Sequence, residues 1–197
     1  MLLWKDPLKV EIKSCSPGHI DAIIDHNMRR WRFTGFYGCP TMEGRVASWQ
    51  LIQRLGSLSK LCHLPWLVGG DFNEVLYDHE KQGGRPQSLS QMQNFQQALD
   101  HCCLRNITSM REFFTWANKQ LGSDFIQERL DRYVSTLAWG QLFLNSRCQN
   151  LNFYSSNHRA IKIMLGPSLV WVRKKSNGPR KGRFHFEELW ATDEECR

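Results

Sequence analysis

Four places in this chain carry side chains that could do chemistry together: Tyr37, the pair Asp71 and Asn73, Asp131, and His158. Each lies where an apolar or β-rich run gives way to a polar turn. A carboxylate with an amide two residues on offers hard oxygen donors, which suit Mg²⁺ or Mn²⁺. A phenol and an imidazole supply donors for a phosphate oxygen. Brought together, these groups fit metal-assisted hydrolysis of a phosphodiester, in which fixed donors stabilise the charge that develops. Taken singly, each has a plainer reading. Gly70-Asp71 is also a turn, with Asn73 as a helix cap. Tyr37 also fits a core ring with its hydroxyl at the surface. Asp131, between Arg129 and Arg132, also fits a surface ion pair. His158, in a Ser/Asn loop, also fits a solvated turn residue.

The elements that would position these groups are legible in the patterning. Val10–Ser14 alternates apolar with polar residues, as a half-buried strand does, and Ser16-Pro17-Gly18-His19 turns it back into a second strand over Ile20–Ile24. Arg30–Tyr37 is rich in aromatic and β-branched residues and stops at Gly38-Cys39-Pro40. Apolar residues at 46, 49, 52, 55 and 58 predict a helix over Arg45–Leu61. The run Leu64–Val68 reads as a buried strand ended by Gly69 and Gly70; an extended chain beyond it would place Asp71 and Asn73 on one side. After a loop over His79–Leu89, Ser88 or Ser90 caps a helix with apolar positions 92, 95, 98 or 99, and 102. Phe113–Trp116 and Ile126–Val134 read as strands, Leu137–Phe143 as a short helix, and Gln149–Tyr154 and Ala160–Leu165 as the last strands. A helix running directly into a buried strand marks a layered α/β architecture.

Bulk properties narrow the class. A chain of 197 residues with 41% hydrophobic content and eight Trp can bury a core. No apolar run approaches the roughly 20 residues of a membrane helix, so no membrane partner is expected. Seven Cys without a CxxC pair suit a reduced, intracellular protein without a structural zinc site. Removing Arg173, Lys174, Lys175, Arg180, Lys181 and Arg183 from the net charge of +7 leaves +1, so the basic character belongs to a segment after the body. Such a run suits a polyphosphate partner such as a nucleic acid, and it also fits a solvated linker. Gly166-Pro167 closes the body, giving 1–166 as the folded unit and 167–197 as a basic linker.

Phe36-Tyr37-Gly38-Cys39-Pro40, Gly70-Asp71-Phe72-Asn73, Phe114-Thr115-Trp116, Arg129-Leu130-Asp131-Arg132 and Ser156-Asn157-His158 stand in the order and spacing of the endonuclease/exonuclease/phosphatase superfamily, which the chain resembles. More narrowly it resembles the endonuclease domain of plant LINE-type (non-LTR) retrotransposon polyproteins. Phe184-His185-Phe186-Glu187 with Trp190 looks like the connector toward a reverse transcriptase domain. The resemblance implies a four-layer α/β sandwich, two mainly antiparallel sheets with outer helices. It implies Mg²⁺ or Mn²⁺ as cofactor, held at Asp71 and Asn73, DNA as substrate and the nucleus as the place of action. It assigns Asp71 to the attacking water, Asn73 to water and phosphate, Tyr37 and His158 to the phosphate, and Asp131 to support.

Two departures from the family pattern set further expectations. The closing motif of the family has Asp before the His, where this chain has Asn157; the change removes a charge that would orient the His and help hold the metal. The first strands of the family, with an Asn and the principal metal-binding Glu, would lie upstream of Met1, leaving part of one sheet unpaired; Glu74 and Glu43 are the nearest substitutes. The expected function is a retroelement-derived, metal-dependent DNA endonuclease domain, truncated and impaired. The alternatives are a non-catalytic remnant that binds nucleic acid and a phosphatase for a small phosphoester.

Overall fold

Eleven short strands and three helices make up residues 1–166, which are the part of the chain described by the computed structural model. The basic run Arg173–Arg183 and the connector after it lie outside the described residues. The strands are β1 (Lys9–Ser16), β2 (His19–His26), β3 (Arg29–Tyr37), β4 (Trp66–Asp71), β5 (Lys81–Gln82), β6 (Arg105–Asn106), β7 (Trp116–Ala117), β8 (Gln127–Glu128), β9 (Asp131–Ser135), β10 (Arg147–Phe153) and β11 (Arg159–Met164). The helices are α1 (Met42–Cys62), α2 (Leu89–His101) and α3 (Leu137–Leu142).

Six strands form the main sheet in the order β1-β2-β3-β4-β9-β6. It is antiparallel except between β3 and β4, which run parallel because α1 carries the chain back between them. A three-stranded sheet, β5-β8-β7, and the hairpin β10-β11 form the facing layer, joined where Trp116 bridges His158. This mixed α/β arrangement is the layered sandwich expected from the strand pattern.

Parity along β4 assigns the two faces. Trp66 and Val68 pack with Ile52 and Leu55 of α1 and Phe95 and Leu99 of α2. Leu67, pointing the other way, packs with Trp31, Trp139 and Phe143, and with Tyr133 and Ile163 at the margin. The helices α1 and α2 therefore cover one face, and the hairpin, together with α3 through Trp139, lies on the other. Asp71 shares the parity of Leu67, so it belongs to the face between the sheets.

Several elements differ from the sequence expectation. The buried stripe of α1 is Ile52, Leu55, Gly56 and Ser59, while Val46 and Leu58 are exposed. A strict spacing of three drifts around a 3.6-residue helix, and the small residues that complete the stripe carry no hydrophobic signal. A Cβ on Gly56 would lie 2.4 Å from Cys102 Sγ, so the glycine permits α1 and α2 to approach closely. Cys102 is buried there, as its helical position suggested, while Cys103 is exposed.

The strand β4 does not stop at its glycines but runs through them to Asp71. Phe113–Trp116 is mostly loop, with β7 confined to Trp116–Ala117. Ile126–Val134 is two strands: β8 pairs in the three-stranded sheet and β9 in the main one, the chain crossing between them at Arg129-Leu130. Within the expected loop over His79–Leu89, a 3₁₀ turn at Asp78–Glu80 leads into β5.

Candidate active site

Strand register builds the site. Tyr37 pairs with Asp71 across β3 and β4, and Asp71 pairs with Asp131 across β4 and β9. Paired residues share a face, so these three side chains form one row at the end of the main sheet. The row needs Gly70. Its φ is +149°, and a Cβ there would sit 2.0 Å from the Phe36 carbonyl oxygen. Any side chain would push β3 and β4 apart one residue before Asp71.

Asn73 reaches the row by a turn and not by the pleat. Its φ of 52° is left-handed, which Asn tolerates better than most residues. Its backbone N–H donates to Asp71 Oδ1 at 2.9 Å, and Nδ2 donates to Asp71 Oδ2 at 3.0 Å and to the Gly38 carbonyl at 2.9 Å. The turn reading is thus realised, without a helix for Asn73 to cap, and the turn rather than an extended chain brings the Asn73 amide against the Asp71 carboxylate. Both amide protons are committed. The side chain is left with Oδ1, an acceptor suited to a cation or a water proton.

The facing layer delivers His158. The Thr115 carbonyl accepts from Arg159 N–H at 2.7 Å, and the Asn157 carbonyl accepts from Ala117 N–H at 3.0 Å. Thr115 Oγ1 also accepts from the backbone N–H groups of Leu130 (3.0 Å) and Asp131 (2.8 Å). One buried hydroxyl therefore ties the loop before β7 to the start of β9. His158 Nδ1 lies 2.9 Å from Asp131 Oδ2. Ligand atoms of Asp71, Asp131 and His158 all lie within 4.8 Å of one another, which would allow them to share a metal ion.

The electrostatics follow from this crowding. Burial, and then the Asp131 charge, push the Asp71 carboxyl above its ordinary value, against the two Asn73 hydrogen bonds and the His158 charge. The bond from Asp131 raises His158 above the ordinary imidazole value, in spite of partial burial. Both shifts have the same sign: each group holds its proton to a higher pH than it would when free in water.

Exposure separates the remaining candidates. Tyr37 is exposed at the end of its strand, not stacked in the core. Asn157 is exposed too, and the carboxylate that orients His158 comes from Asp131, 27 positions earlier. Asp131 does not pair with its neighbouring arginines. Arg129 and Arg132 turn instead to Glu80, which is 1% exposed and takes Arg129 Nη1 at 3.1 Å and Arg132 Nη2 at 2.8 Å. Glu80 Oε2 also accepts from Leu76 N–H at 2.6 Å, clamping the loop after Asn73. Glu74 is buried against Arg45 of α1, 3.4 Å away, and stands outside the Asp71–Asp131–His158 group. Glu43, in the first turn of α1, is exposed.

Glu80 and Thr115 are the residues that sequence reasoning missed as supports. Glu80 sits in a polar loop, where nothing local marks an acid as buried; its one signal is that Arg129 and Arg132 bring two cations to a single neighbouring acid, Asp131.

No family model and no curated protein matches this chain by sequence. Solved structures do match by shape. The endonuclease domain of TRAS1, a telomere-specific non-LTR retrotransposon, superposes with a TM-score of 0.64 at 14% identity, over 83% of this chain and 71% of that one. The 3′ phosphatase NExo from Neisseria, bound to a product DNA hairpin, gives 0.58 at 14% identity over 82% and 71%. The catalytic domain of Xenopus laevis APE2 gives 0.53 at 13% identity over 75% and 55%. The fold is that of the endonuclease/exonuclease/phosphatase proteins. In an endonuclease/exonuclease/phosphatase fold of this shape, the Tyr37–Asp71–Asp131 row lies at one end of the space between the sheets, and His158 enters from the opposite layer.

Proposed function

We propose that the chain is a phosphodiesterase domain of retroelement descent that acts on DNA, with Mg²⁺ or Mn²⁺ held at Asp71 and Asn73. The observation that carries this reading is the convergence of Asp71, Asp131 and His158 within 4.8 Å beside Tyr37. The donor set fits a hard cation: two carboxylates side by side, and an Asn73 Oδ1 left as an acceptor. When bound, such a cation polarises the phosphoryl group and lowers the pKa of water. Asp71 orients the attacking water and takes its proton as the water oxygen bonds to phosphorus and the P–O ester bond to the leaving alcohol breaks, the leaving oxygen taking a proton from solvent. His158, in the protonated form that Asp131 favours, donates to a non-bridging phosphate oxygen. Tyr37, exposed at the mouth, offers its hydroxyl to the same group. DNA is the favoured phosphoester because one matched fold, the 3′ phosphatase NExo, is bound to a product DNA hairpin and a basic run follows the body.

A second reading, binding without turnover, is favoured by Asn157, a neutral and exposed residue where the family pattern carries an acid. Supercoiled plasmid with Mg²⁺ separates the two. Nicking by the wild type that disappears in Asp71→Ala supports hydrolysis. A wild type that binds plasmid and leaves it closed, with nicking restored by Asn157→Asp, supports the second. Nicking that persists in Asp71→Ala overturns the assignment of Asp71.

A further inference from the structure

The hydrolytic corner leaves one exposed feature unused. Leading outward from the start of β9, a guanidinium and three rings stand in file. Arg129 Cζ lies 5.3 Å from the Phe113 ring centroid. His79 lies 5.6 Å beyond Phe113, and Tyr77 stacks on His79 at 5.4 Å with an interplanar angle of 6°. The inner end is fixed, because Arg129 is bonded to buried Glu80. Phe114 braces Phe113 edge-on at 5.2 Å. Exposure grows outward: Arg129 is 7% exposed, Phe113 42% and Tyr77 51%. Among the described residues Tyr77 has one ring neighbour, His79, so its file ends in an aromatic surface open to solvent.

We infer that this file is a stacking platform for an unpaired base of the strand whose phosphate occupies the Asp71–His158 site, with Tyr77 as the face that receives the base. The inference rests on the DNA reading above and narrows it to a substrate with bases close to the scissile phosphate, as opposed to a small phosphoester. Chain connectivity keeps the platform near the chemistry. Phe113 is two residues from Thr115, which holds Asp131, and two residues reach at most about 7 Å. Tyr77 is four residues from Asn73, at most about 14 Å. Every base offers a π-face, so a ring platform binds bases without reading their sequence. Exposed Arg111, two residues before Phe113, supplies charge for the backbone.

The test uses the full chain in metal-free buffer, so that it does not depend on turnover. The probes are a short single-stranded oligonucleotide carrying 2-aminopurine and a matched abasic one. The wild type is expected to prefer the base-containing strand by about tenfold and to quench 2-aminopurine on binding. Tyr77→Phe keeps both properties. Tyr77→Ala loses both, and His79→Ala, which removes the ring beneath, weakens both. The basic run binds the two oligonucleotides alike and cancels in the ratio. Equal affinity of the wild type for the two probes, or a preference and quench unchanged in Tyr77→Ala, would overturn the platform. Plasmid nicking is scored separately: base preference without nicking leaves the platform and removes hydrolysis, and nicking without base preference does the reverse.

Discussion

His158 Nδ1 lies 2.9 Å from Asp131 Oδ2, and the two residues come from opposite layers of the sandwich. The pairing fixes the ring and leaves Nε2 as the nitrogen free to meet a phosphate. It also sets the charge, since the hydrogen bond to Asp131 is the main cause that raises His158 above its ordinary value. Asp131→Asn is therefore expected to lower the His158 midpoint, because partial burial then acts against a weaker partner. Imidazole NMR in metal-free buffer, across the range of about pH 5 to 8 in which histidine titrates, reads this directly. The sign for stability follows. A raised folded value means that the His158 contribution is complete below the ordinary value of 6.5 and is lost as pH rises through the folded value. In Asp131→Asn that loss of stability on the alkaline side should shrink. An unchanged midpoint in the variant would show that the bond does not hold the proton.

Glu80 ties its own loop, through the Leu76 N–H, to the crossing into β9, through Arg129 and Arg132. Glu80→Ala leaves two guanidinium groups buried without their carboxylate, a change that typically costs about 3–5 kcal/mol. Urea denaturation should show a loss of that size. The Arg129–Phe113 contact should loosen with it, which a change in the near-ultraviolet aromatic signal would report. A loss below about 1 kcal/mol, the scale of a surface pair, would mean that the loop and the crossing are held by packing alone.

Glu74 is 3% exposed, and burial pushes its carboxyl up to about 7 in spite of Arg45. The Trp49 indole favours the ionised form, yet neither Glu74 oxygen makes a hydrogen bond of ordinary geometry. A carboxyl whose folded value is raised holds a proton that the unfolded chain has released. Stability therefore falls as pH rises from about 4.5 to about 7 and levels off above. Glu74→Gln should flatten that interval, by up to about 3 kcal/mol at its upper end. Equilibrium unfolding of both proteins at several pH values measures it, and parallel curves would show that Glu74 does not titrate there.

The sequence alone determined the kinds of residue at the site, their order, and the turns that precede or follow them. Those features are local. Alternation makes a strand, 3.6-residue spacing makes a helix, and Gly or Pro ends a run, each through backbone sterics within a few residues. For that reason β1, β2, β3, α2 and α3 follow the pattern read from the chain. Tertiary structure alone decided the rest. Asp71 meets Asp131 because β4 and β9 pair in a register set by Trp66, Leu67 and Val134 packing on opposite faces. The run Ile126–Val134 breaks between two sheets because Thr115 captures the N–H groups of Leu130 and Asp131. His158 takes its carboxylate from Asp131, and Glu80 becomes buried because two arginines converge on it. Each of these depends on partners at least 15 positions away along the chain, a separation over which neighbouring residue types carry no signal.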